Sequence, residues 1–160
     1  MIFLSIKDKN LVNNAITMDN INENVLKNCY KNAQMAIYSL EDVIPKCKGN
    51  LKGELLDQHE GYNRHLNECA LTATKLSISL PNVNSIAKGM LNASINVQTL
   101  TDDSDSHIAE MTLKGTVKGY TTLIKDISQF GPLLHEEVLQ RITQLKEYEE
   151  VCEERLKKYL

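Results

Sequence analysis

Tryptophan is absent from the sequence, and proline and glycine occur only 3 and 7 times among 160 residues. Aromatic residues make up just 5% of the chain. An all-β domain relies on frequent turn residues and on aromatic and β-branched side chains, so this scarcity argues against such a fold. Long helices joined by few loops fit the composition better. Hydrophobic residues still reach 42%, as in ordinary globular domains, which argues against a chain that is disordered throughout.

Strong charge of one sign and long hydrophobic runs are missing as well. The formal net charge is −3, and no basic stripe carries interleaved aromatic residues, so we expect no nucleic-acid partner. No segment approaches the ~20 consecutive apolar residues that cross a bilayer, and the apolar start lacks the basic region of a secretory leader. We therefore expect a cytoplasmic protein with no membrane partner.

The four cysteines are far apart and form no C-x-x-C pair. Each of them falls at a core-facing position of a helical segment. This pattern favours buried free thiols that act as small hydrophobic side chains, with a disulfide framework or a zinc site as the alternative. The four are Cys29, Cys47, Cys69 and Cys152.

Four segments carry apolar residues at alternating spacings of three and four, which is typical of amphipathic helices that bury one face. The segments run from about residue 22 to 47, 54 to 78, 105 to 128 and 133 to 159. In the last segment, Glu149 fills one step of an otherwise apolar stripe. In the third segment, the predicted stripe consists of His107, Glu110, Leu113, Val117, Tyr120, Ile124 and Ile127.

These segments predict an all-α fold, in which residues 19–160 form an antiparallel four-helix bundle and residues 1–18 a short N-terminal extension. The connection between the second and third helices decides the wiring. Up-down-up-down wiring would need a third helix far longer than its neighbours. We therefore favour the ferritin-like wiring, in which residues from about 80 to 104 form a long crossover. A broken third helix, with its first part folded over one end of the bundle, is the alternative.

Acidic and imidazole side chains occur on or beside the buried stripes, and under the crossover wiring four of them converge at one level of the bundle. Carboxylate and imidazole ligands on facing helices suit a divalent metal, so iron or manganese is the candidate cofactor. The Glu-x-x-His order of di-iron bundles is reversed here, and a hydrogen-bonded polar core network or a small-molecule site is the alternative. The predicted ligands are Glu41, His59, His107 and Glu110, with Tyr62 and Glu149 nearby.

Gly115 and Gly119 lie four residues apart in the third helical segment, so both fall on one face. Glycine lowers helix stability by ~1 kcal/mol relative to alanine. The pair therefore indicates either close approach of another helix or an opening for a ligand or partner helix. No nucleophile elbow, P-loop, dinucleotide-binding glycine motif or H-E-x-x-H motif is present, so the sequence favours a protein that is not an enzyme.

Three stretches resemble an uncharacterised helical family of anaerobic, Gram-positive-type bacteria, within the broader ferritin-like superfamily of four-helix bundles. They are residues 28–35 (NCYKNAQM), 106–111 (SHIAEM) and 154–160 (ERLKKYL), and the likeness covers most of residues 20–160. The resemblance implies a helical bundle and a cytoplasmic location, and it implies no activity.

Two functions are compatible with these observations. The first is a ferritin-like protein that binds a divalent metal, iron or manganese, at a degenerate site. The alternative is a non-catalytic structural or protein-interaction bundle without metal, whose partner is a second copy of the chain or another helical protein.

Overall fold

The computed structural model describes residues 5–82 and 85–160, and within these ranges the regular structure is entirely helical. The all-α fold that the composition predicts is confirmed. No helix of the described ranges combines the length and apolarity needed to cross a bilayer. The α-helices are α1 (Ile6–Val43), α2 (Leu51–Lys75), α3 (Ser85–Thr101), α4 (Asp105–Phe130) and α5 (Glu136–Leu156).

Helix α1 begins much earlier than the apolar stripe indicates. Ser5 Oγ accepts a hydrogen bond from the backbone N–H of Asp8, while the Asp8 carboxylate accepts one from the Ser5 N–H at 3.0 Å. This capping box provides partners for N–H groups that lack them at a helix start. Residues 5–20 are exposed and carry no buried stripe, so periodicity signals the helix only from about residue 22. The separation of residues 1–18 from the bundle as a distinct unit stays a prediction.

Ion pairs at the two ends of the bundle fix the directions of α2 and α5. At one end, Arg155 Nη2 donates to Asp57 Oδ2 at 2.6 Å. At the other end, Lys75 pairs with Glu137. The start of α2 thus lies beside the end of α5, and the two helices are antiparallel.

Helix α4 runs parallel to α2 and antiparallel to α1. The backbone N–H of Lys48, in the α1–α2 hairpin, donates to Asp105 Oδ1 at 3.0 Å, which places the start of α4 beside that hairpin. Asn28 of α1 lies opposite Asp126 near the end of α4, with 3.4 Å between Nδ2 and Oδ2. Two hairpins joined in this sense require a long crossover, so the predicted ferritin-like wiring is confirmed.

The crossover contains α3, which lies along the flank of α1. Asn92 Nδ2 donates to Asp42 Oδ1 at 2.8 Å, and Lys46 Nζ donates to Asn96 Oδ1 at 2.6 Å. Because the partners advance together along both helices, α3 is parallel to α1 and returns the chain to the hairpin end, where α4 begins. The alternative of a segment folded over one end of the bundle is therefore wrong.

The core confirms the predicted stripes of α1 and α5. Every step of the α5 stripe from Val138 to Leu156 is buried, Glu149 included. The α1 stripe is buried from Val25 to Cys47, except for the half-buried Ala36. All four cysteines are buried, as predicted.

The predicted stripe of α4 is wrong by about one residue of rotation. The predicted core positions His107 and Glu110 lie beside or outside the core. Two of the residues that face inward instead are small or polar, and a pattern of large apolar side chains does not reveal such a face. The buried residues of α4 are Ile108, Ala109, Thr116 and Leu123.

Candidate functional site

The structure brings together two of the four predicted metal ligands. His59 Nε2 lies 3.5 Å from Glu41 Oε1 across the α1–α2 hairpin, and Asn63 Nδ2 lies 3.3 Å from the other ring nitrogen of His59. The side chains of His59 and Glu41 keep 29% and 49% of their exposure. The pair is therefore a surface contact outside the core.

The other two predicted ligands lie apart from this pair. His107 Nε2 is 3.2 Å from the carbonyl oxygen of Gln98, at the end of the crossover. Glu110 is half exposed, and the hydrogen bond from Lys114 lowers the pKa of its carboxyl group. Because α4 is rotated relative to the prediction, the four side chains do not converge. Across residues 5–82 and 85–160, no group of three or more His, Cys, Asp or Glu side chains is placed to hold a metal ion.

Two cysteines form a pair that the lack of a C-x-x-C motif conceals. Cys29 Sγ and Cys69 Sγ lie 3.6 Å apart in the α1–α2 contact. The neighbouring Cys69 thiol and burial both raise the pKa of Cys29. A signal for the pair exists in the sequence, since the two residues are equally distant from Gly49 in the hairpin.

A cavity of about 460 Å³ opens between α1 and α4, with a floor from α2 and α5. Gly115 of α4 contributes to the space, because no described heavy atom outside the helix backbone lies within 4 Å of where its Cβ would stand. The two glycines divide the two alternatives between them, since Gly115 borders an opening, whereas Gly119 lies close to Asn32 and Glu149. Met35, Ala36, Leu40 and Leu91 supply apolar walls, and the exposed Lys31 and Lys118 stand at the mouth.

Glu149 lies at the floor of the cavity and is only 1% exposed. Tyr62 Oη donates to Glu149 Oε1 at 3.3 Å, and Asn32 Nδ2 donates to Oε2 at 3.5 Å. Burial raises the pKa of Glu149 to about 8, although both hydrogen bonds act to lower it. The carboxyl group is therefore mainly protonated at neutral pH. Gly119 leaves room for it, because a Cβ there would stand 2.9 Å from Glu149 Oε1.

Gln58 also lines the cavity, and its exposure is 0%. Its Nε2 donates to Glu54 Oε1 at 2.8 Å. Its Oε1 accepts no hydrogen bond from any residue that the structure describes. A buried acceptor without a donor costs about 1–3 kcal/mol. A molecule that brings a donor into the cavity would remove this cost.

The site combines hydrogen-bond acceptors at its floor with apolar walls, which is the usual composition of a small-molecule pocket. Glu149 is signalled in the sequence by its place in an apolar stripe. Gln58 is missed because the neighbouring His59 is the residue predicted to face the core, whereas in the structure Gln58 is buried and His59 is half-buried.

The arrangement of the helices is that of the ferritin-like bundles. The chain is similar to YcfI from Rhodopseudomonas palustris, described as a candidate structural protein, with a TM-score of 0.63 and 18% identity over 88% of this chain and 92% of that one. It is also similar to a Dps protein from Deinococcus radiodurans, with a TM-score of 0.57 and 12% identity over 90% of this chain and 88% of that one. No protein-family model and no curated sequence matches the chain.

These likenesses concern the fold alone, because both identities are low. They confirm the ferritin-like helical bundle that the sequence predicts. The narrower resemblance to a family of Gram-positive-type bacteria stays a prediction.

Proposed function

We propose that this chain is a binding protein, which holds a small, largely apolar molecule in the cavity between α1 and α4. The observation that carries the proposal is a cavity with apolar walls whose lining includes Gln58, a fully buried residue with no hydrogen-bond donor to its Oε1 among the described residues. A volume of about 460 Å³ suits a small organic molecule, since ligand pockets span roughly 300–1,000 Å³.

The test fills the cavity from Gly115 and compares the result with an equal change elsewhere. Gly115→Phe introduces a ring on the cavity face of α4. Gly53→Phe is the matched control, because Gly53 is also a helical glycine with no described heavy atom within 4 Å of its Cβ position and does not line the cavity. The probe is N-phenyl-1-naphthylamine, an uncharged molecule whose aromatic rings become fluorescent in apolar surroundings.

We expect saturable binding of one probe molecule to the wild type and to Gly53→Phe. Binding to Gly115→Phe should weaken about tenfold or more, or about 1.4 kcal/mol. Gly115→Leu serves as a second cavity-filling variant if the phenylalanine variant does not fold, as judged by circular dichroism. Equal binding to all variants, or no saturable binding to the wild type, would contradict the proposal.

Divalent-metal binding is the second candidate function, with iron or manganese at Glu41 and His59, the two of the four predicted ligands that lie together. It is favoured by the pair of Glu41 and His59, whose carboxylate and imidazole face each other at 3.5 Å. A manganese titration followed by elemental analysis tests it, with the double variant Glu41→Gln/His59→Gln beside the exposed control Glu60→Gln. The proposal requires about one metal per chain in the control and loss of that metal in the double variant. Less than about a tenth of an equivalent in the wild type would end it.

A structural or interaction role without metal is the third candidate, supported by the description of YcfI as a candidate structural protein. The exposed first part of α1 also carries apolar side chains, Ile6 and Leu11 among them, at 81% and 61% exposure. Sedimentation of the intact chain tests self-association. A monomer at every concentration would argue against a second copy as the partner.

A further inference from the structure

We propose that the molecule in this cavity is an amphipathic amine, whose ammonium group donates hydrogen bonds to Glu149 and to the side-chain oxygen of Gln58. The inference deepens the proposed binding function and depends on it. It names the chemical class of the ligand and the end that enters first.

The floor of the cavity has more acceptors than donors. Gln58 Oε1 has no donor among the described residues, and the Gln58 amide nitrogen is already committed to Glu54. Each oxygen of Glu149 receives one hydrogen bond, from Tyr62 and from Asn32, and in the ionised form each oxygen can accept a second one. A ligand that brings only another acceptor would leave these oxygen atoms without a donor. An ammonium group brings three donors and no acceptor, so it matches the floor.

Glu149 can also form an ion pair with a cation at the floor once its carboxyl group releases its proton. Glu149 is the one acidic side chain that lines the cavity within the described residues, and it is almost completely enclosed. An ion pair formed at such depth is stronger than one in water, because the surrounding medium screens it less. Lys31 and Lys118 would repel a cation, but they are exposed at the mouth, where water and salt screen their charge.

The walls specify the rest of the ligand. Met35, Leu40 and Leu91 present apolar side chains between the mouth and the floor. A ligand with an aromatic or aliphatic body buries that body against them, with the favourable free energy of removing apolar surface from water. The ligand class is therefore a molecule with an apolar body and one terminal amine.

Three probes with one ring system and different end groups separate the possibilities. They are tryptamine, tryptophol and indole acetate, which end in an ammonium group, a hydroxyl and a carboxylate. Calorimetric titration at pH 8 should show that tryptamine binds about tenfold or more tightly than tryptophol, and indole acetate most weakly. Glu149→Gln should bring the ratio of tryptamine to tryptophol affinity close to one. Glu150→Gln, a change of the neighbouring and more exposed glutamate, should leave the ratio intact.

A second readout is the proton balance of tryptamine binding at pH 7. Because burial raises the pKa of Glu149 to about 8, its proton must leave for the ion pair to form, so about one proton should be released per amine bound. The Cys29, Cys152 and Tyr62 pKa values are all raised, so these groups stay protonated and do not contribute. The other groups near Glu149 are the amide of Asn32 on α1 and the ammonium groups of Lys31 on α1 and Lys118 on α4.

The outcomes distinguish the proposal of an amine ligand from the proposal that the cavity binds a small molecule. Equal affinity for the three indoles, or preference for indole acetate, would overturn the amine proposal and leave the binding function standing. The same holds if the preference for tryptamine survives Glu149→Gln. Absence of binding by all three indoles and by the uncharged N-phenyl-1-naphthylamine would overturn the binding function itself. A tryptamine preference that disappears in Glu149→Gln supports both.

Discussion

Replacement of Glu149 by glutamine is expected to remove a large pH dependence of folding. The carboxyl group has a pKa of about 8 in the folded chain, against an ordinary value of 4.5. Between these values the unfolded chain has released the proton, while the folded chain still holds it. The contribution of this group to stability is therefore complete below pH 4.5 and is lost as the pH rises to about 8.

The magnitude follows from the same linkage. Each pH unit inside the window lowers the free energy of unfolding by about 1.4 kcal/mol. Between pH 5 and pH 8 the loss from this one side chain amounts to about 3 kcal/mol, a large part of the stability of an ordinary domain. Glutamine has nearly the same shape and does not titrate, and its amide oxygen can still accept the hydrogen bond from Tyr62.

Urea denaturation at pH 5 and pH 8 measures the effect in the wild type, Glu149→Gln and Glu150→Gln. The wild type and the Glu150→Gln control should lose about 3 kcal/mol more than Glu149→Gln over this interval. The other titrating groups, apart from Glu150 in its own control, are common to the three chains and cancel in the comparison. Parallel losses in all three would refute the claim that the cavity floor holds a protonated carboxyl group.

Four further substitutions test the packing, capping and core of the bundle. Gly61→Ala is expected to lower the free energy of unfolding by about 2 kcal/mol, because the new Cβ would overlap Tyr148 Oη. At Gly53 a Cβ would meet no neighbouring atom, so Gly53→Ala should stabilise the fold by up to about 1 kcal/mol in the same urea titration. Ser104→Ala removes the hydroxyl that caps α4 and should cost about 1 kcal/mol, with faster amide exchange in the first turn of that helix. Leu145→Ala, at a side chain of 0% exposure, should cost about 2–5 kcal/mol in thermal melting, and a loss below about 1 kcal/mol would contradict its place in the core.

The helical periodicity predicts the fold well because most helices bury a continuous stripe of apolar side chains. The α5 stripe shows this even at Glu149, where one acidic residue interrupts it and the helix still buries that position. The wiring is predictable for a similar reason, since two hairpins and a long linker leave few arrangements. The start of α1 is not predictable in this way, because the capping contact of Ser5 with Asp8 is local and the helical turns after it are exposed.

The candidate site is predicted less well, because a site depends on the exact rotation of each helix. A turn of α4 by one residue moves Thr116 inward and leaves His107 and Glu110 beside or outside the core. The opening at Gly115 is one of two alternatives that the glycine pair allows, and the sequence does not decide between it and close helix packing. The unpaired oxygen of Gln58 is a property of three-dimensional packing, and no residue pattern in the sequence records it.

The attachment of α3 to the rest of the chain has a consequence for exchange of a cavity occupant. Among the described side chains of α3, Ile95 alone is buried, and the helix is otherwise fastened to α1 by surface contacts such as that of Asn92 with Asp42. A segment with so few buried contacts opens at lower free energy than the helices it rests on. Since Leu91 travels with α3, local detachment would uncover one wall of the cavity while both hairpins stay folded. The opening of α3 would then determine how long a bound molecule stays in the cavity, whereas the two helical hairpins would determine its affinity.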